Sequence, residues 1–558
     1  MLKRLIRSLV RGAAKSERRH PPSVSGPVAA VVEERARAAF DRALEQIERG
    51  QPEAAERFLH EAIALNPGFA EAHYRLGRIY GQKGALDDAA DCHELAIYFD
   101  PRNIQAHAAL AGLRKSQGRH GEAIEHYRSI VELDPNDAAT HTNLCLALHE
   151  VADYDAARQH GERAIAADPK LPEAHHNLGL VLRELGDPAR ALQHFEKAME
   201  FKPRAEIAAG LAHAYRDLGR LKEAIANYER ALRLNPDLGD ATINRAYAFL
   251  LNGNYSRGWE EYENRFVATG AAVRDFGLAR WNGESLQGRT ILVYAEQGLG
   301  DEIMFASCLP DLLAQADRVI VECNERLAPL FKRSFPRATV IGGTKGDPTD
   351  WIRQYAPVHF QLPVGSLPRW YRSTRTAFPS QGRYLSADPK KINHWRDQLK
   401  TRKQLHVGLS WRGGGAKTRG YLRSVSPALL APLVQLDAAF VCLQHDVQLR
   451  ELNDAQISLM TMPGITEHPD ELAALISALD LVISVDNTTA QLAGALGQRL
   501  WIMLSASPEW RYGISGETMP WYPSAKLFRQ GDDRRWEPVI TQVAAAFSAW
   551  SESLGTAP

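Results

Sequence analysis

The sequence predicts a chain in two halves: an all-helical solenoid, then an α/β region built on two parallel sheets. Three observations predict it. A helix-ending proline recurs at a nearly constant interval through residues 36–238. That period stops near residue 270. Beyond it, short apolar runs alternate with helical stretches, the pattern of parallel strands joined by crossover helices.

Composition agrees with an ordinary globular protein of several domains. The 558 residues are 45% hydrophobic and 24% charged, with Lys+Arg and Asp+Glu equal at 67 each. A dedicated nucleic-acid binder carries a basic excess, so that class is excluded. Cys92, Cys145, Cys308, Cys323 and Cys442 are scattered, with no CxxC pair. They read as reduced thiols of a cytoplasmic protein. No apolar run reaches the length of a membrane span.

The first twenty residues carry seven Lys/Arg and one Glu. Arginines interrupt the apolar stretch too often for a signal peptide. The segment is read as a solvated basic tail, with peripheral contact to anionic lipid or an acidic partner as the alternative. His20–Pro27 follows as a linker.

The repeat then begins. Pro67, Pro101, Pro135, Pro169, Pro203 and Pro236 are spaced by 34, 34, 34, 34 and 33 residues. Twelve residues before each stands an alanine: Ala55, Ala89, Ala123, Ala157, Ala191 and Ala224. A second small residue stands five before most of them, Ile130 being the exception. Small residues at fixed places let antiparallel helices pack closely, and Tyr127, Phe195 and Tyr228 fill the gaps between turns. Proline ends the second helix, because it lacks the amide and disfavours helix in the residue before it. This pattern resembles tetratricopeptide repeats, six in phase. Tyr74, Leu76, Gly77 and Tyr80 fit the first-helix signature, as do Leu178 and Gly179. Asp240–Phe266, containing GWEEYENRF, is expected to close the array or bridge to the next domain. Stacked repeats form a long concave groove, so a peptide or protein partner is expected there, a spacer or dimerisation arm being the alternative.

In the α/β half, ILVYA, RVIVEC, ATVIGG and VHFQLP read as strands of a first sheet. HVGLSW, AFVCLQ, LVISVD and RLWIML read as strands of a second. The boundary is expected near the helix PKKINHWRDQLKT. This half resembles the two-domain GT-B glycosyltransferases, specifically the heptosyltransferase-like family. The resemblance rests on EQGLGDEIMFASCLPDL, GLSWRGGGAKTRGYLRSVSPALLAPL, DLVISVDNTTAQLAGALG and PEWRYG…PWYPSAKLFRQ, in that order over roughly residues 280–545. The union with repeats also resembles, more weakly, the protein O-linked N-acetylglucosamine transferases. It implies two Rossmann-like domains facing a cleft. The implied segments are 1–30 (tail and linker), 31–270 (repeats), 271–402 (acceptor side), 403–545 (nucleotide-sugar side) and 546–558 (tail).

Glycosyl transfer needs a base for the acceptor hydroxyl and stabilisation of the leaving phosphate. Gly298 and Gly300 break the strand before Asp301, and the resemblance puts the family's catalytic aspartate at Asp301. A helix cap is the alternative reading, and Glu296 and Glu302 are lesser candidates for the base. Asp486, Asn487, Thr488 and Thr489 join a strand to a helix N-terminus, which suits a diphosphate without a metal; an ordinary N-cap box is the alternative. Arg412, Lys417, Arg419 and Arg423 lie in a Gly-rich loop that can supply cations, and resemblance favours Lys417 and Arg423. Gln444 and Trp411 follow strand ends near the expected base or ribose, a packing role being the commoner one for such a Trp. Arg511 and Trp521 match family positions. Gln491 stands where many relatives have His, and an amide cannot carry a proton at neutral pH.

The expected activity is an inverting transfer from a nucleotide sugar to a protein held by the repeats. No cofactor and no metal are expected, since no DxD pair follows a strand. The alternatives are a repeat adaptor with an inactive transferase half, and a transferase acting on a lipid-linked glycan.

Overall fold

The computed structural model describes residues 27–555 except 271–272, 344–345, 347, 381, 401–404, 416–418 and 448. The basic tail, most of the linker and Lys417 therefore lie outside the described residues. The chain forms two compact units, one ending at Pro203 and one beginning at Arg204.

The first unit is five helix pairs: α1 (Pro27–Glu48) with α2 (Pro52–Leu65), α3 (Ala70–Gln82) with α4 (Leu86–Phe99), α5 (Ile104–Ser116) with α6 (His120–Leu133), α7 (Ala138–Glu150) with α8 (Tyr154–Ala167), and α9 (Pro172–Glu184) with α10 (Pro188–Phe201). The residue before each repeat proline behaves as its steric restriction requires. Asn66, Asp100, Asp134 and Asp168 are extended C-caps, and their amides still bond Ala62, Ala96, Ile130 and Ala164. The repeat alanines Ala55, Ala89, Ala123, Ala157 and Ala191 are wholly buried. Gly179 shows why a side chain is excluded there: a Cβ would lie 2.8 Å from the Phe195 ring.

The second unit opens with two more pairs, α11 (Ala205–Asp217) with α12 (Leu221–Leu234) and α13 (Gly239–Leu251) with α14 (Tyr255–Tyr262), then α15 (Arg265–Thr269). The stretch 240–266 is thus a helix pair plus the start of a third short helix. Two parallel five-stranded sheets follow. The first has the order β1-β5-β2-β3-β4: Ala279–Arg280, Phe360–Pro363, Thr290–Tyr294, Arg318–Asn324 and Thr339–Gly343. The second has the order β10-β9-β8-β6-β7: Ala525–Arg529, Leu500–Leu504, Leu481–Val485, His406–Leu409 and Ala439–Cys442. Strands β2, β8 and β9 are buried along their whole length, as expected of strands covered on both faces. The edge strands β1 and β10 were not expected: β1 has two residues and β10 is apolar only in part. The chain is a tetratricopeptide-type solenoid followed by a GT-B-like pair of Rossmann sheets. The last helix, Glu537–Gly555, runs ten residues beyond 545 and buries Val539, Ile540, Val543 and Phe547 against the second sheet.

Both sheets are doubly wound, and each reverses direction beside its first long strand, between β2 and β5 and between β6 and β8. Ligands of open α/β sheets bind outside the strand carboxyl ends at such reversals. All five cysteines are buried and unpaired.

Candidate functional site

The β2 exit carries Glu296, Gln297, Gly298, Gly300, Asp301 and Glu302. The helix Leu299–Phe305 starts here, with Gly298 in extended conformation at its N-cap and Asp301 and Glu302 in its first turn. Glu296 is anchored, not free for chemistry. Arg265 at the start of α15 donates Nη2 to it at 2.7 Å and Nε to both of its oxygens at 3.1 Å, and the Gly365 amide after β5 adds 3.2 Å. Gln297 Nε2 donates to the Tyr262 hydroxyl of α14. Repeat helices therefore set the geometry of this loop.

Glu302 is buried and accepts from the Asn324 amide at 2.8 Å. Burial pushes its carboxyl up to about 7, Glu322 and Asp301 adding to the rise and the Asn324 bond opposing it. Asp301 lies 3.1 Å from Arg511 Nη1 and keeps partial exposure. Burial works against the Arg511 charge, but Asp301 and Asp486 outweigh it and hold the guanidinium protonated. Gly300 meets the other sheet closely: a Cβ there would lie 3.3 Å from Thr488 Oγ1 and 3.5 Å from Gln491 Cγ.

At the β8 exit, Asp486 takes 2.7 Å bonds from Arg423 Nη1 and from the Tyr512 hydroxyl. Arg423 also reaches Glu509 at 3.0 Å. Asn487 caps the helix Thr488–Ala495: its Oδ1 accepts from the Ala490 amide, while Nδ2 donates to Ser410 Oγ at 2.7 Å and the Arg412 carbonyl at 3.1 Å. Thr489 Oγ1 donates to the Leu443 carbonyl, so of the two threonines Thr488 alone presents an exposed side chain. Gln491 is buried and bridges two tyrosines. Its Nε2 donates to Tyr512 at 3.0 Å, and its Oε1 accepts from Tyr522 at 2.7 Å.

The remaining sequence candidates divide. Gln444 Oε1 accepts from Ser410 Oγ and the Trp411 and Arg412 amides at 2.8–3.1 Å. It pins the β6 exit, and its Nε2 goes to the His445 carbonyl, so in this structure the amide faces chain atoms and not an open base site. Trp411 is wholly buried and has the packing role, with Nε1 on Glu451. Arg412 points away from the β8 exit, to Glu451 and the Asp446 carbonyl. Arg419 ion-pairs with Asp217 at the end of α11, 2.8 Å away. Trp521 packs with Trp259, Trp510, Phe305 and Phe378. The structure thus unites Gly300, Asp301, Arg423, Asp486, Thr488, Gln491 and Arg511, and it does not bring Arg412, Arg419 or Gln444 to that group. Sequence reasoning missed Tyr512, next to Arg511 in PEWRYG, and the anchors Tyr262 and Arg265 in GWEEYENRF. Among the described residues no cluster of three His, Cys, Asp or Glu side chains could hold a metal, and no helix is long and apolar enough to cross a membrane.

Comparison with known proteins supports the repeat region. Tetratricopeptide repeat models match residues 46–113, 104–137, 136–204, 171–237 and 210–272. Protein FlbA of Caulobacter vibrioides is 33% identical over 366 residues, 61% of this chain and 61% of that protein. The match therefore spans about three fifths of that relative's length. Among solved structures, MamA of Desulfovibrio magneticus is 22% identical over 30% of this chain and 95% of its own, with a TM-score of 0.28. A tetratricopeptide protein of Parabacteroides merdae is 17% identical over 43% and 95%, at 0.35. YrrB, described as a TPR protein with an unusual peptide-binding site, is 21% identical over 35% and 100%, at 0.31. Scores of that size carry no functional weight.

Proposed function

We propose that this chain is a cytoplasmic, metal-independent, inverting glycosyltransferase that moves a sugar from a nucleotide-sugar donor to a protein or peptide held by the repeat array. The observation that carries this reading is the Asp301–Arg511 ion pair, which joins the β2 exit of the first sheet to the segment after β9 of the second. A carboxylate on one sheet and two arginines on the other are the parts that glycosyl transfer asks for. Asp301 takes the proton of the acceptor hydroxyl. Arg511 and Arg423 stabilise the leaving diphosphate, together with the first amides of Thr488–Ala495. Each of these arginines already faces a carboxylate of its own chain. The donor diphosphate competes with Asp301 for Arg511, and its arrival releases Asp301 for base catalysis, so the donor binds before the acceptor. Gln491 acts through Tyr512 and does not contact the donor.

The test is thermal melting with a panel of nucleoside diphosphates and nucleotide sugars, since a ligand of the folded state raises the melting temperature. One nucleotide sugar is expected to stabilise the wild type, with the effect lost in Arg423→Ala, Arg511→Ala and Lys417→Ala and kept in Asp301→Ala. A flat response across the panel overturns this reading. It would favour a second one, a repeat adaptor with a retired transferase half, for which the replacement of the family His by Gln491 speaks.

A further inference from the structure

The first unit contains a motif that the transferase reading does not use. His107, His141 and His175 recur at 34-residue intervals on α5, α7 and α9. Opposite them, His126, His160 and His194 recur at the same interval on α6, α8 and α10. Each couple meets Nδ1 to Nδ1, at 3.2, 2.9 and 3.0 Å. The outer Nε2 of the first member lies 3.1, 3.0 and 3.0 Å from the carbonyls of Pro101, Pro135 and Pro169.

We propose that these three histidine pairs form an acid-sensitive joint in the repeat array, each pair holding its two helices through one shared proton while both rings are neutral and opening as acid protonates the separated rings.

The tautomers follow by exclusion, as hydrogens must. A carbonyl only accepts, so Nε2 of His107, His141 and His175 carries hydrogen. Their Nδ1 atoms are then lone pairs in the neutral ring. The facing Nδ1 atoms of His126, His160 and His194 must donate. A first added proton goes to the outer nitrogen of the second ring and leaves the bond intact. The next puts hydrogens on both facing nitrogens about 3 Å apart and sets two cations against each other.

The surroundings oppose even the first proton. His160 faces His141, Arg163 and Arg128, and His194 faces His175, Lys197 and Arg190. His126 faces His107 and Arg114, with Glu122 opposing them. Burial, then these cations, push all three down to about 4. Burial also lowers His107, opposed by the Pro101 carbonyl and Asp100. A base depressed in the folded state adds stability above its unfolded value and loses it as pH falls, here from about 6.5 toward about 4. The equivalent positions elsewhere lack the pair: His73 has Cys92, and Ala39 has Phe58. The facing pair is therefore confined to residues 104–201 and repeated there; in the repeat before it burial lowers the unpaired His73 and His93 too, the latter to about 4, so the reference segment lies before residue 66. The groove that stacked repeats offer a partner would tighten or loosen with pH.

Hydrogen-exchange mass spectrometry of the full chain at pH 7.5 and 5.0, corrected for intrinsic rates, tests this. Protection over 104–201 is expected to fall by about tenfold or more, one pKa unit at a single pair being tenfold in equilibrium, while 27–65 serves as internal reference and barely changes. The triple variant His126→Asn/His160→Asn/His194→Asn keeps an amide donor that cannot titrate, and it should reduce the contrast to the share that His107 retains. Equal behaviour of the two segments in the wild type overturns the proposal, as does a folded triple variant that keeps the wild-type contrast undiminished. Should the triple variant not fold at pH 7.5, the wild-type contrast decides alone, and His160→Asn should reduce it.

Discussion

The two sheets share a plan yet secure the loops at their strand exits differently. The β8 exit is held from within its own half: Asn487, Gln444, Tyr512 and Gln491 bond to neighbouring strands and loops of the second sheet. The β2 exit is held from outside its sheet, by Arg265 and Tyr262 of the closing repeat helices. The difference teaches that the last repeats are structural members of the first sheet's site. Loss of Arg265 and Tyr262 would loosen the loop carrying Asp301.

The comparison can be broken in order of expected effect. Arg265→Ala strips a buried carboxylate of its partner and should destabilise the second unit by about 3–5 kcal/mol, read by tryptophan-monitored urea unfolding. The first tryptophan is Trp259, so this signal reports that unit alone. A smaller loss than that from Tyr512→Phe would sink the asymmetry. Glu302 sharpens it through pH. Its carboxyl is raised to about 7 in the folded state, so its share of stability is present below its ordinary value, near 4.5, and is lost as pH rises through 7. Glu302→Gln should therefore match the wild type at pH 5 and exceed it at pH 8, by at most about 3 kcal/mol. Equal stability at pH 8 would count against a strained first-sheet carboxyl. Tyr512→Phe removes one bond to Asp486 and one from Gln491 and should cost about 1–3 kcal/mol, with weaker donor stabilisation in the same melting assay. Gly300→Ala should cost the least, under about 1 kcal/mol, because a Cβ at 3.3 Å asks only a small shift of the Thr488 hydroxyl. Its effect should appear in ligand binding instead, as the added methyl displaces the Thr488 hydroxyl.

What was legible follows the range of the interaction. The helix pairs came from a period of 34 that places proline, alanine and aromatic residues locally, and strands β2, β8 and β9 came from unbroken apolar runs. Each signal lies within one element, so sequence alone determined the order of elements, the division into repeats and sheets, and the two glycine- and Asx-rich turns at strand exits. Edge strands β1 and β10 lacked that signal, since β1 has only two residues and Lys526 and Arg529 interrupt the apolar run of β10. The partners of the charges were decided only by tertiary structure. Arg423, Arg419 and Arg412 look alike within one loop, yet one meets Asp486, one Asp217 and one Glu451. Gln491 read as a changed ligand residue, and the fold turns it into a bridge between Tyr512 and Tyr522. An ion pair or a buried hydrogen bond needs two groups within about 3 Å, and residues separated by tens or hundreds of positions reach that distance only once the sheets and helices have packed.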